Sequence, residues 1–83
     1  SASLVAHYLA DGKAVPHNIL DLDNKFASQL FDIQNAKRMI REAQKDQDEL
    51  TEDVYWDRLD VANRLADECK SNIQRIFNDT FGS

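Results

Sequence analysis

Apolar residues recur along most of the chain at alternating spacings of three and four. Stepping in this way from residue 19 to residue 50 reaches ten positions, of which eight are apolar or small: Ile19, Leu22, Phe26, Gln29, Ile33, Ala36, Ile40, Ala43, Gln47 and Leu50. The same stepping from residue 55 reaches a second series, which Leu65 and Phe77 widen: Tyr55, Leu59, Ala62, Ala66, Cys69, Ile73 and Ile76. This spacing is typical of helices that bury one stripe against a partner helix, so it predicts two long amphipathic helices.

A short helix is predicted before the two long ones. Ser3 can accept hydrogen bonds from the free amides of a helix start, and Gly12 suits the left-handed residue that ends a helix. Pro16 fits the first turn of the helix that follows. The three predicted helices therefore cover about residues 3–11, 16–48 and 52–80.

A polar segment at residues 48–53 separates the two long helices. Thr51 is the predicted N-cap of the third helix, and Leu50 is expected to pack on Tyr55. The hairpin then closes near residues 48–51 and brings Ile40 beside Leu59. The segment contains no glycine, so a single unbroken helix of about sixty residues is the competing interpretation.

The predicted fold class is all-α, a short N-terminal helix followed by a long antiparallel helical hairpin, in one helical domain over residues 1–83. The residues expected in the hairpin seam or in a dimer core are Ile19, Leu22, Phe26, Ile33, Ile40, Leu59, Leu65, Ile73 and Ile76. Two helices alone cannot bury such wide stripes, which leaves candidate exposed apolar groups at Leu20, Phe31, Met39, Phe77 and Phe81. We therefore expect two hairpins to form a four-helix bundle as a homodimer. The alternative is a three-helix monomer in which the first helix covers Phe26, Phe77 and Phe81.

Composition agrees with a small helical protein. The chain has 83 residues, of which 42% are hydrophobic and 30% charged, and it has two glycines and one proline, too few for the turns of an all-β fold. Its apolar runs are far shorter than a membrane span. Cys69 is the only cysteine and residues 1–14 lack the pattern of a secretory leader, so a cytoplasmic protein is expected.

The net charge of −5 is concentrated near the predicted hairpin turn. Residues 42–60 contain eight acidic and two basic residues, a net of −6, whereas the rest of the chain has seven acidic and eight basic residues. Such a cluster attracts basic proteins and repels phosphates. If Tyr55 faces the seam, Trp56 faces outward, and an exposed tryptophan among carboxylates is typical of a protein-binding site. The predicted partner-binding residues are Asp46, Asp48, Glu49, Glu52, Asp53, Trp56 and Asp57. The alternative is that these acids only stabilise the start of a helix.

The sequence gives no support to catalysis. Cys69 lies on the predicted seam, where a thiol is protonated and inert, and neither histidine is close to it along the hairpin. His17 with Asp21 would offer only two metal ligands. We therefore expect a protein that is not an enzyme and that has no catalytic residue, metal or cofactor.

The function that these observations favour is a non-enzymatic protein–protein interaction module. It would act as an adaptor, inhibitor or regulatory subunit that presents an acidic, aromatic hairpin tip to a basic protein. A second interpretation is a coiled-coil dimerisation or assembly segment of a larger protein. Nucleic acid is not the expected partner, and its binding would require the basic helix face that consists of Lys37, Arg38, Arg41 and Lys45.

Overall fold

The computed structural model describes residues 3–82 and has three helices. Helix α1 spans Leu4–Ala10, α2 spans His17–Lys45 and α3 spans Glu49–Phe81. Helices α2 and α3 pack against each other as a hairpin, and the molecule measures 52 × 19 × 17 Å. No strand occurs within residues 3–82. The prediction of an all-α helical hairpin is therefore confirmed, and the interpretation as one unbroken helix is wrong.

Helix α1 begins and ends as its flanking residues predict. The Ser3 side chain accepts a hydrogen bond from the Ala6 amide at 3.2 Å. After the helix, Gly12 adopts a positive φ of 70°, its amide donates to the Leu9 carbonyl, and the Lys13 amide donates to the Tyr8 carbonyl. These two hydrogen bonds form a Schellman motif, which satisfies carbonyl groups at the end of the helix.

The turn between α2 and α3 lies earlier than predicted. Helix α2 ends at Lys45 instead of residue 48, and α3 begins at Glu49 instead of residue 52. Gln47 adopts the left-handed conformation with φ 55°, its amide donates to the Gln44 carbonyl, and the Asp48 amide donates to the Ala43 carbonyl. This is a second Schellman motif, in which a glutamine takes the place that glycine usually occupies. The chain therefore reverses without a glycine.

Asp48, not Thr51, caps helix α3. The Asp48 carboxylate accepts from the Thr51 amide at 3.1 Å and from the Thr51 hydroxyl at 2.7 Å. The prediction that Thr51 is the N-cap was wrong because the helix begins three residues earlier, which places Thr51 inside the first turn. The predicted contact of Leu50 with Tyr55 is also wrong, since Leu50 is 82% exposed.

The unusual backbone of Gln47 leads to a stability prediction. The left-handed conformation destabilises the folded state by about 1–2 kcal/mol when the residue is not glycine. Glycine removes this strain, but its larger conformational entropy in the unfolded chain offsets part of the stabilisation. We expect Gln47→Gly to raise the free energy of unfolding by about 0.5–1 kcal/mol, measured by urea denaturation. Gly12→Ala is a control with the opposite expected effect. Gly12 also has a positive φ, so alanine at this position should destabilise the protein. Equal stability of Gln47→Gly and wild type would contradict this explanation of the turn.

The core consists of two clusters along the hairpin. At the open end, Leu4, Tyr8 and Ile19 are buried, and they pack with partly buried apolar residues of the linker and α3 that include Val15, Ile73, Ile76, Phe77 and Phe81. Nearer the turn, Ala36, Ile40 and Leu59 are buried, with Ile33 and Tyr55 packed against them. Ile40 and Leu59 thus share one cluster, as predicted. Three further small residues are buried in α3: Ala62, Ala66 and Cys69.

Helix α1 packs on Phe77 and Phe81 at the open end of the hairpin, as the three-helix alternative predicted for these two residues. The His7 ring lies 4.7 Å from the Phe77 ring, and the Tyr8 ring lies 5.1 Å from the Phe81 ring. The Val5 amide also donates to the Asp23 carboxylate at 3.1 Å, which joins α1 to α2. Phe77 and Phe81 are partly buried as a result, so the expectation that they are exposed was wrong.

The residues predicted for the seam differ in how deeply they are buried. Ile19, Ile40 and Leu59 are buried. The other members are partly buried, namely Leu22, Phe26, Ile33, Leu65, Ile73 and Ile76. Of the other residues expected to be exposed, Leu20 and Phe31 are exposed, whereas Met39 is partly buried. Among the helices of residues 3–82, none combines the length and the hydrophobicity that spanning a lipid bilayer requires.

Candidate functional site: the acidic tip

The predicted partner-binding residues come together at the closed end of the hairpin. We call this surface the acidic tip, and it consists of Asp46, Asp48, Glu49, Glu52, Asp53, Trp56 and Asp57. Glu52 is partly buried, and the other six residues are exposed. Asp46 and Asp48 lie in the turn, and the remaining residues lie in the first turns of α3. The tip is therefore one continuous surface formed by the turn and one helix.

Helical spacing aligns two of the tip acids with Trp56 on one side of α3. Glu49, Asp53, Trp56 and Asp60 follow each other at spacings of three and four residues, so they form a single stripe on the helix surface. Asp60 lies 3.5 Å from Arg64 in an exposed ion pair. No ion pair is formed by the seven tip residues within residues 3–82. Four tip carboxylates are therefore available to a basic partner, namely those of Asp46, Glu49, Asp53 and Asp57, whereas those of Asp48 and Glu52 already accept hydrogen bonds.

Glu52 connects the two long helices and positions Trp56. One carboxylate oxygen, Oε2, accepts from Trp56 Nε1 at 3.0 Å and from Gln44 Nε2 at 3.2 Å. Gln44 belongs to the last turn of α2, so the carboxylate bridges the hairpin and holds the indole at the same time. Trp56 is 49% exposed. A large ring that is both exposed and held in place loses little conformational freedom when a partner covers it.

Tyr55 and Trp56 face different sides of α3, as the sequence predicted. Tyr55 is partly buried and packs against the Ala36, Ile40 and Leu59 cluster. The Arg58 guanidinium lies 5.0 Å from the centre of the Tyr55 ring, a distance at which cation and ring attract each other. One of the two basic residues in the 42–60 segment is therefore held against an aromatic ring and away from the stripe of acids on α3.

Asp48 has a structural role that the sequence did not reveal. Hydrogen bonds from the hydroxyl and then the amide of Thr51 favour the ionised carboxylate, and they hold the pKa of Asp48 below its ordinary value. Asp48 is therefore a cap of α3 as well as a member of the acidic tip. For Asp48, the alternative interpretation that acids near residue 50 stabilise the start of a helix is therefore correct.

A groove lies between α2 and α3 on one side of the hairpin, and the sequence did not predict it. It has a volume of about 440 Å³, and its lining includes Asp32, Ala36, Arg58, Val61, Ala62 and Leu65. No residue of α1 lines it. The signal in the sequence is a second apolar series on α3, in which Leu50, Val54, Val61 and Leu65 follow each other at spacings of four, seven and four. Leu50, Val54 and Val61 are exposed, and Leu65 is partly buried.

The basic face of α2 is exposed as well. Lys37, Arg38, Arg41 and Lys45 are all accessible, and Arg38 donates to the Asn35 side chain at 2.7 Å. Phe31, which is 71% exposed, lines a shallow depression together with Arg38 and Arg41. These cations lie at the same end of the hairpin as the acidic tip. The field of the tip opposes phosphate binding there.

The groups that could support chemistry are dispersed. Cys69 is buried with a free thiol in the hairpin core. His7 packs on Phe77 at the open end. Over the described residues 3–82, no group of three or more His, Cys, Asp or Glu side chains is arranged to hold a metal ion.

Comparison of the chain with protein-family models, with curated proteins and with solved structures found no match. The functional argument therefore depends on the acidic tip and the groove.

Proposed function

We propose that this chain is a non-enzymatic interaction module that binds a basic protein through its acidic tip. In this role it serves as an adaptor, an inhibitor or a regulatory subunit. The observation that carries the proposal is Trp56, which is half exposed, held by Glu52 and bordered by carboxylates. Tryptophan is enriched among the few residues that dominate binding energy, and surrounding charges select a partner of opposite sign.

The charge distribution supports a basic partner. The segment 42–60 carries a net charge of −6, and the remainder of the chain is close to neutral. Concentrated charge raises the rate at which an oppositely charged protein arrives, and it discriminates against acidic proteins. A basic enzyme that handles nucleic acid is one partner of suitable chemistry, because carboxylates can occupy its phosphate-binding surface. The single free cysteine favours a reducing compartment such as the cytoplasm.

The test compares two variants that lose the same number of negative charges. The tip variant replaces four acids by their amides: Asp48→Asn, Glu49→Gln, Glu52→Gln and Asp53→Asn. The control variant makes four such changes at exposed acids elsewhere: Asp21→Asn, Asp67→Asn, Glu68→Gln and Asp79→Asn. Amides keep an oxygen that can cap α3 or accept from Trp56, so the helical circular-dichroism signal should stay the same.

Immobilised wild-type protein and the control variant should retain the same basic protein from a cell extract, and the tip variant should lose it. Since electrostatic attraction is screened by salt, retention should also fall as the salt concentration rises. Once the retained protein is identified, its direct binding can be followed through the fluorescence of Trp56, the only tryptophan of the chain. Equal retention by the tip variant and the control variant would refute the proposal.

A second candidate function is self-association, in which the chain forms a homodimeric four-helix bundle and serves as an assembly segment of a larger protein. The groove favours it, because apolar side chains remain exposed beside the hairpin contact. Contiguous apolar surface on a small protein is typical of an interaction site. The two candidate surfaces share only Asp57, which belongs to the acidic tip and also lines the groove, so one chain can combine both.

A further inference from the structure

The side of the hairpin that carries the groove has an unpartnered apolar surface. Val61 and Leu65 line the groove, and Val54 and Leu50 extend the same side of α3 toward the turn. Helix α1 leaves this surface free, because it packs on Ile19 and on the end of α3 at the opposite end of the molecule. The molecule measures 52 × 19 Å across its long faces, so a second copy that covers most of one face can bury the roughly 800 Å² per subunit that a stable dimer buries.

The groove contains charges of both signs. Asp57 of α3 is one of them, and the two groups that a two-fold axis can pair are Asp32 from α2 and Arg58 from α3. Neither residue forms an ion pair in the described part of the chain, and the Arg58 guanidinium lies over the Tyr55 ring. A patch that carries both an unpaired carboxylate and an unpaired guanidinium can complement a copy of itself, because a two-fold axis brings each group toward its opposite.

The floor of the groove allows another helix to approach closely. Ala36 and Ala62, the small residues that line it, come from the two facing helices, and both are buried. Small side chains at a helix contact reduce the distance between helix axes. Val61 and Leu65 stand beside this floor as the apolar side chains that a second hairpin would cover.

We infer that the groove surface is the interface of an isologous homodimer, in which a second copy of this chain packs its own Val54, Val61 and Leu65 against the first. The two-fold axis passes near Val61, perpendicular to the hairpin, and it directs Arg58 of each copy toward Asp32 of the other. The two acidic tips then lie at opposite ends of a four-helix bundle, and their residues other than Asp57, which lines the groove, remain accessible. This inference rests on the second candidate function, self-association, and it identifies the surface through which two copies associate.

The first test is the mass of the full chain by sedimentation equilibrium at tens of micromolar. Wild type should have twice its monomer mass of 9.5 kDa. Val61→Glu places a charge at the centre of the interface and should weaken dimerisation at least tenfold, while Leu20→Glu, at an exposed apolar residue of α2, should leave it unchanged. Val61 is exposed, so the helical circular-dichroism signal of this variant should remain.

A charge-reversal experiment tests the geometry. Arg58→Asp and Asp32→Arg should each weaken the dimer, because each puts like charges opposite each other across the two-fold axis. The double variant should recover dimerisation, since it exchanges the two charges and restores the pairing. A monomeric wild type would overturn self-association itself. A dimer that survives Val61→Glu, or a double variant weaker than both single variants, would overturn only the assigned surface.

Discussion

Ile19→Ala is expected to lower the free energy of unfolding by about 2–5 kcal/mol. Ile19 is 1% exposed, and it forms one buried cluster with Leu4 and Tyr8 of α1. Alanine removes apolar contacts and leaves a cavity at the place where α1, α2 and α3 meet. Because small domains are stable by only about 5–15 kcal/mol, this one substitution removes a large share of the total.

The neighbouring residue provides a matched control. Leu20 lies on the same turn of α2 but is 38% exposed, so Leu20→Ala should cost less than about 1 kcal/mol. Urea denaturation followed by circular dichroism at 222 nm measures both values. If the two alanine variants have equal stability, the open-end cluster does not hold α1 against the hairpin.

The overall fold was predictable because two long apolar stripes follow helical spacing. A stripe of this length has no stable state in water unless another element covers it, and a turn between two such stripes produces a hairpin. The covering of the open end was only one of two interpretations. It depends on aromatic contacts between residues far apart in the sequence, such as His7 with Phe77, and spacing within one helix does not reveal such contacts.

The turn was predicted at the wrong residues because a glutamine occupies the left-handed position that glycine usually takes. Glycine marks the end of α1 at Gly12, where a left-handed residue was predicted. The end of α2 uses the same Schellman motif with Gln47 in the left-handed conformation, a choice that intrinsic preference disfavours. Asp48 completes this motif with its amide and caps α3 with its carboxylate. The combination of both roles in one residue makes the turn short.

The acidic tip was predictable as a list of residues but not as an arrangement. Helical spacing alone separates Tyr55 from Trp56, since neighbouring residues face different directions. The bond from Gln44 to Glu52 joins two helices, and it depends on the register of the hairpin. The groove was not predicted because Val54 and Val61 lie outside the main apolar stripe of α3, and single apolar residues are common on protein surfaces.

Trp56→Ala is expected to weaken binding of the basic partner by at least thirtyfold, or about 2 kcal/mol. The indole is the largest exposed side chain of the acidic tip. Its truncation removes the apolar contact around which the carboxylates are arranged, whereas the loss of one peripheral carboxylate should change affinity only slightly. Titration with the partner identified by capture, followed by isothermal calorimetry, measures the effect without relying on tryptophan fluorescence.

Variants of Glu52 distinguish its positioning of Trp56 from its electrostatic attraction of the basic partner. Glu52→Gln keeps an oxygen that can accept from Trp56 Nε1 and should therefore retain most of the affinity, while Glu52→Ala frees the indole and should bind several-fold more weakly. Trp56→Phe lacks the Nε1 donor, so adding Glu52→Ala to it should cost less than the same change in wild type. Additive losses in this double-mutant cycle would mean that Glu52 acts on binding independently of Trp56, through its charge or its bond with Gln44. In that case the hydrogen bond to Trp56 would contribute nothing to recognition.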